Sequence, residues 1–155
     1  MIMGLTLVIT TEDIEWAKDS VERAKLLFPR FCSHGANTYL GKGEPKFEDR
    51  YLDGVVISRE WLKHFERTKS PTKTHGSYGC KHFAEKWAGQ YVCNGALIAA
   101  AAGLGIKQRI DSAFSPNTLL AIKYSSWSKG RGWDLGRESS RLRLESIFKQ
   151  YEVES

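Results

Sequence analysis

Four side chains capable of proton transfer or polar recognition fall within eight residues of one another: Tyr78, Lys81, His82 and Glu85. Their spacing is i, i+3, i+4 and i+7, which on a helix at about 100° per residue gathers them on one face. A phenol, an amine, an imidazole and a carboxylate so placed could donate, accept and relay protons. They could equally form a polar recognition face. A solvated helix surface with local ion pairs, each worth about 0.2–0.5 kcal/mol, has the same pattern. Nothing nearby in the sequence supplies a nucleophile or oxyanion donors, so the expectation is a partner-binding face and no catalytic residues.

A second candidate is the run from Tyr124 to Arg137, in which Trp127, Lys129, Arg131 and Trp133 alternate with glycines and serines. Tryptophan and tyrosine stack on bases while lysine and arginine meet phosphates. Tryptophan, tyrosine and arginine are also the residues enriched at protein-binding hot spots. A third arrangement, with both tryptophans folded into the core and the cations in solvent, fits the composition too. Other groupings are weaker. His75, Cys80, His82 and Cys93 match no zinc-ligand spacing, and Cys80 and His82 point about 200° apart on one helix. A Cys–His nucleophilic pair fails for the same reason, because Cys80 lies on the apolar side, where thiols are usually inert. Gly41-Lys42-Gly43 and the glycines at 103 and 105 lack the length and the Ser/Thr of a phosphate-binding loop. No metal and no cofactor is expected.

The elements that must position these residues follow from pattern. Leu5–Ile9 reads as a buried strand. Thr10 and Thr11 before Glu12, Asp13 and Glu15 mark a helix start, and Ile14, Ala17, Val21, Ala24 and Phe28 continue it to Pro29. Residues 31–54 are polar and glycine-interrupted, with one strand near 38–40. Gly54–Ile57 reads as a second strand, and Ser58 as the cap of a short helix over 59–67 that buries Trp61, Leu62 and Phe65. Lys69–Gly76 reads as a surface loop. Ser77 then caps a helix to Ala88 that Gly89 closes, and Asn94 caps another that Gly105 closes. On the first of these, Cys80, Phe83, Ala84 and Trp87 form the core face. The second, rich in alanine, presents no Arg, Asn, Gln or Lys to base edges, which argues against a helix-turn-helix DNA reader and for a packed helical hairpin at about 77–105. Leu119–Tyr124 reads as a strand after the Pro116-Asn117 turn. Residues 137–151 read as a closing helix with Leu144, Ile147, Phe148 and Tyr151 as its apolar stripe. Helices and strands mix without regular alternation, so the class is α+β, a single compact domain with a small sheet and four to five helices.

Within the hairpin, Ser77, Tyr78, Gly79, Lys81, His82, Glu85, Gly89, Tyr91, Val92, Asn94, Gly95, Ala96, Ile98 and Ala99–Ala101 form a run. It resembles a block found in small uncharacterised proteins of plasmids, prophages and other mobile elements. The resemblance covers about thirty of the 155 residues. Cys80 and Cys93 stand where leucine and serine are expected, which argues against an essential thiol. The resemblance implies a genetic setting, since accessory proteins of mobile elements often antagonise host defence, anti-CRISPR proteins among them.

Composition bounds the rest. With 41% hydrophobic and 26% charged residues the chain has the balance of a folded globular domain. Its longest apolar run, Ala96–Leu104, is half of what spans a bilayer. The first residues carry no basic leader, and three cysteines without a C-x-x-C pair favour reduced thiols, so a cytoplasmic setting is expected. Net charge is +5, divided as −2 over residues 1–60 and +7 over 61–155. A basic half of this kind attracts an acidic partner. The leading expectation is a non-enzymatic inhibitor that binds a host protein or ribonucleoprotein complex. The alternatives are a direct nucleic-acid binder using the basic residues of 61–149, and a small enzyme using the Tyr78/Lys81/His82/Glu85 face. The assignment of helix faces has a direct check: in chemical denaturation Trp87→Ala is expected to cost about 3–5 kcal/mol, and His82→Ala little.

Overall fold

The computed structural model describes residues 9–37, 46–113 and 115–123. Apart from Ile9, the strands expected near 5–9 and 38–40 lie outside them. So do the 124–137 loop, with Tyr124, Trp127, Lys129, Arg131, Trp133 and Arg137, and the helix expected over 137–151.

Among the described residues are four α-helices and two small antiparallel sheets, an α+β arrangement. Helix α1 (Thr11–Leu27) starts as its sequence requires: Thr10 and Asp13 form a reciprocal capping box, each side chain taking up the other's backbone N–H. Helix α2 spans Leu52–Leu62, α3 Ser77–Ala88 and α4 Asn94–Leu104. Strand β1 (Glu66–Arg67) pairs with β4 (Ile122–Lys123), and β2 (Gln108–Ile110) with β3 (Thr118–Leu120). Both hairpin helices end on glycines at positive φ, Gly89 at 73° and Gly105 at 75°, a left-handed turn that other residues adopt only under strain.

Helix α4 is the centre of the described residues. From Asn94 to Ala102 every residue is buried, and α1, α2 and α3 all pack against it. Its small side chains set how closely they come. A methyl added at Gly103 would collide with the side chains of Ser20 and Trp16 on α1, and one added at Gly95 with the Cys32 carbonyl. At Gly54 on α2, an added methyl would stand 3.2 Å from the Ala96 methyl.

Several expectations are corrected. Gly54–Ile57 belongs to α2 and not to a strand. Val55, Val56 and Ile57 are each fully buried, so no alternation betrays a period, and packing on α4 overrides the β-branched preference. The helix expected over 59–67 ends at Leu62, with Ser58 buried inside it and β1 following. Gly76, not Ser77, is the N-cap of α3, and the Ser77 hydroxyl accepts the Thr118 N–H at 2.9 Å instead. Cys93, not Asn94, caps α4, its sulfur accepting the Ala96 N–H. Asn94 reaches out, its Nδ2 lying 3.1 Å from the His34 carbonyl and 3.0 Å from Asn117 Oδ1. The single strand expected at 119–124 is two, interrupted at Ala121, whose N–H donates to the Lys107 carbonyl while its own carbonyl accepts from Thr68.

The core face expected for α3 holds: Cys80, Ala84 and Trp87 are buried and Phe83 packs against the core, while the His82 side chain is half-exposed, at 44%. No helix among the described residues is long and apolar enough to cross a membrane. The close approach at α4 distinguishes two glycines within helices. Gly79 on α3 has no neighbour within 4 Å of an added methyl, so Gly79→Ala is expected to stabilise by up to about 1 kcal/mol. Gly103→Ala gains the same helix preference yet is expected to destabilise by about 1–3 kcal/mol, because α1 must move. Urea midpoints of the two variants measure this.

Candidate interaction surface on helix α3

The helical spacing of Tyr78, Lys81, His82 and Glu85 does bring the four together, but not as an evenly solvated face. Lys81 is buried, at 6% exposure, which corrects the expected solvent position. Its Nζ lies 2.8 Å from Glu85 Oε1, 4.8 Å from the Tyr91 ring centre and 5.5 Å from that of Tyr78. The ammonium therefore sits beside two ring faces and pairs with one carboxylate, while its aliphatic stem is covered.

Glu85 gathers three donors. Besides Lys81, His82 Nδ1 lies 3.1 Å from Oε2 and the Val92 N–H donates to Oε1 at 3.2 Å. Burial alone would raise its pKa, but the hydrogen bonds from Lys81, Val92 and His82 outweigh it and hold the carboxyl below its ordinary value. Being ionised, it accepts from His82 Nδ1–H, which fixes that imidazole tautomer. The bond to Val92 ties α3 to the segment after Gly89 and so places Tyr91. A carboxylate held in this way is a poor general base near neutral pH.

The exposed groups are aromatic. Tyr78 is 52% and Tyr91 64% exposed, and the Tyr78 ring meets His82 edge-on with centroids 4.5 Å apart. Tyr91 continues into Tyr51 at 6.1 Å, Arg50 lies over the Tyr51 ring at 4.7 Å, and Tyr51 meets Phe47 at 6.4 Å. A chain of ring contacts thus runs from α3 to the start of α2, exposed at Tyr78 and Tyr91 and buried at Phe47, with Lys81 buried beneath it and Arg50, paired with Glu48 at 2.7 Å, over Tyr51. Tyr91, Tyr51 and Arg50 were missed as site residues. Tyr91 carries a signal, an aromatic two residues beyond a helix-closing glycine, where little of the ring can be covered. Tyr51 and Arg50 carry none, since only the fold brings them across.

The thiols do not join this surface. Burial pushes the pKa of Cys80 far up, and that of Cys93 up to about 11, so neither is a thiolate at neutral pH. Cys80 and His82 lie on opposite sides of α3, and among the described residues no three His, Cys, Asp or Glu side chains gather as a metal site. Comparison with protein-family models, curated proteins and solved structures finds no match to this chain.

The electrostatics give a pH dependence. Glu85, Asp13 and Glu60 all have folded pKa values below their ordinary ones, 4.5, 3.8 and 4.5. Their stabilisation is complete above those values and is lost as pH falls through the lower folded ones. His75, whose pKa burial holds below 6.5, adds a loss that begins as pH falls below 6.5. Thermal midpoints are therefore expected to drop from neutral pH downward and steeply below about pH 4. Glu85→Gln should cost about 1–3 kcal/mol at pH 7, by leaving the Lys81 ammonium without its partner, and should flatten the acid limb.

Proposed function

We propose that this chain is a non-enzymatic binding protein of a mobile element that inhibits a host defence or nucleic-acid-processing complex, in the manner of anti-CRISPR inhibitors. The observation that carries the binding part is the Tyr78–His82–Tyr91 surface. Its rings are exposed, yet they are held on a base fixed by the Lys81–Glu85–Val92 bonds. Exposed tyrosines held in place contribute contact area with little loss of side-chain freedom, which is what a binding hot spot requires. The Glu85 carboxylate, engaged by three donors, supports recognition over catalysis, and the hairpin's resemblance supports the mobile-element setting.

A direct nucleic-acid binder is the second reading, favoured by the chain of ring contacts with Arg50 over Tyr51, since bases stack on such rings. Salt separates the two. A chain that neutralises several phosphates should lose roughly a thousandfold in affinity between about 50 and 200 mM salt, and a protein-directed inhibitor far less.

The test is transformation of a targeted plasmid into cells with an active CRISPR effector, repeated across effector types. Expression of this chain is expected to restore transformants. Tyr78→Ala with Tyr91→Ala is expected to abolish the rescue and weaken effector binding by about 2 kcal/mol, roughly 30-fold, in a chain that still unfolds cooperatively. No rescue with any effector would count against inhibition of CRISPR complexes. Rescue that survives the two substitutions would move the surface elsewhere.

A further inference from the structure

A second surface lies at the far end of α4, which at 11 residues is about 16 Å long. There the last turn of α1, the end of α4, the loop at Lys69–Pro71 and the start of β2 enclose an open groove of about 630 Å³. Its apolar wall includes Leu26 and Leu27, 85% and 57% exposed, the most solvent-exposed large aliphatic side chains among the described residues. Four cations stand around it: Arg23, Lys69, Lys107 and Arg109. None of the four forms an ion pair with another described residue.

The groove also follows a strand edge. Consecutive strand residues point to opposite faces, so a groove touching Lys107, Gln108 and Arg109 in succession runs along the edge of β2 and not over one face. The Lys107 carbonyl accepts from Ala121 and the Asp111 N–H donates to Asn117, so residues 107, 109 and 111 turn their main-chain groups toward β3. Gln108 and Ile110 turn theirs the other way, where no described strand pairs with β2. The far side of β3, by contrast, is covered by main-chain bonds with Thr72 and His75.

We propose that this groove binds an extended segment of a partner protein in which apolar and acidic residues alternate, added as a strand to the edge of β2. Main-chain bonds to Gln108, and to Ile110 just beyond the groove, hold the segment, its apolar side chains cover the exposed Leu26 and Leu27, and its carboxylates meet the surrounding cations. The edge, unpaired among the described residues, is what favours a peptide over a lipid or a small anion, which would use the cations but not the strand. This surface stands apart from the α3 face and does not depend on its reading.

The test uses the full chain, labelled with nitrogen-15, and two ten-residue peptides, one alternating valine with glutamate and one alternating valine with lysine. The glutamate peptide is expected to shift the amide signals of Gln108 and Ile110, and the lysine peptide to bind at least about tenfold more weakly. Lys107→Glu with Arg109→Glu, both at exposed positions, should reverse that preference. The Tyr78→Ala, Tyr91→Ala variant should bind the glutamate peptide as the unchanged chain does. No shift at about 1 mM peptide, the top of the weak-affinity range, would overturn the proposal. Equal binding of both peptides, or a preference unchanged by charge reversal, would overturn it too.

Discussion

Burial of α4 on all sides is the constraint on which the rest of the structure depends. A helix whose neighbours approach its backbone on several flanks can carry only small or aliphatic side chains there, and beyond Asn94 the helix to Leu104 consists of alanine, glycine, leucine and isoleucine. Gly103 admits α1, Gly54 admits α2 and Gly95 admits the Cys32–Ser33 backbone. The central helix is therefore excluded from chemistry. Polar function must sit on the elements around it, and α3 turns Tyr78 and His82 outward.

Ion pairs then fix the surrounding elements. Arg59 on α2 binds Asp13 at 3.0 Å and Glu60 at 2.8 Å, and lies over the Trp16 ring at 4.8 Å, which joins the start of α1 to α2. Burial alone would lower the Arg59 pKa, but Asp13 and Glu60 raise it above its ordinary value, so the guanidinium stays charged. Such a cluster, once formed, is costly to break, because losing one partner strands the others away from water. Ser77 and Trp87 anchor α3 in the same way through a hydrogen bond to β3 and a buried ring. The Lys81–Glu85 pair builds on that anchor and ends by placing Tyr91 beside Tyr51.

Much of this was legible in the sequence. The threonine-capped start of α1, the glycine stops of α3 and α4, and the core face of Cys80, Ala84 and Trp87 follow from local rules that the packing does not contradict. Helix α2 was not legible, because Val55-Val56-Ile57 is buried all round and a helix without a polar side has no visible period. Half of the candidate surface was legible too. Spacing placed Tyr78, Lys81, His82 and Glu85 on one side of a helix. It did not reveal that Tyr91 would close over Lys81, or that Glu85 would be occupied by a backbone N–H seven residues away. Asn94 shows the same limit, since it looks like a cap and serves as a tether between distant loops.

Glu85, bonded to Lys81, His82 and Val92, is a structural anion beneath a tyrosine surface. The carboxyl carbon-13 shift of Glu85, followed by NMR in the folded chain from pH 7 downward, measures that state directly. A midpoint clearly below the ordinary glutamate value of 4.5 is the expected result. A midpoint at or above 4.5 would show that Lys81, His82 and Val92 do not hold the carboxylate, and would contradict the account.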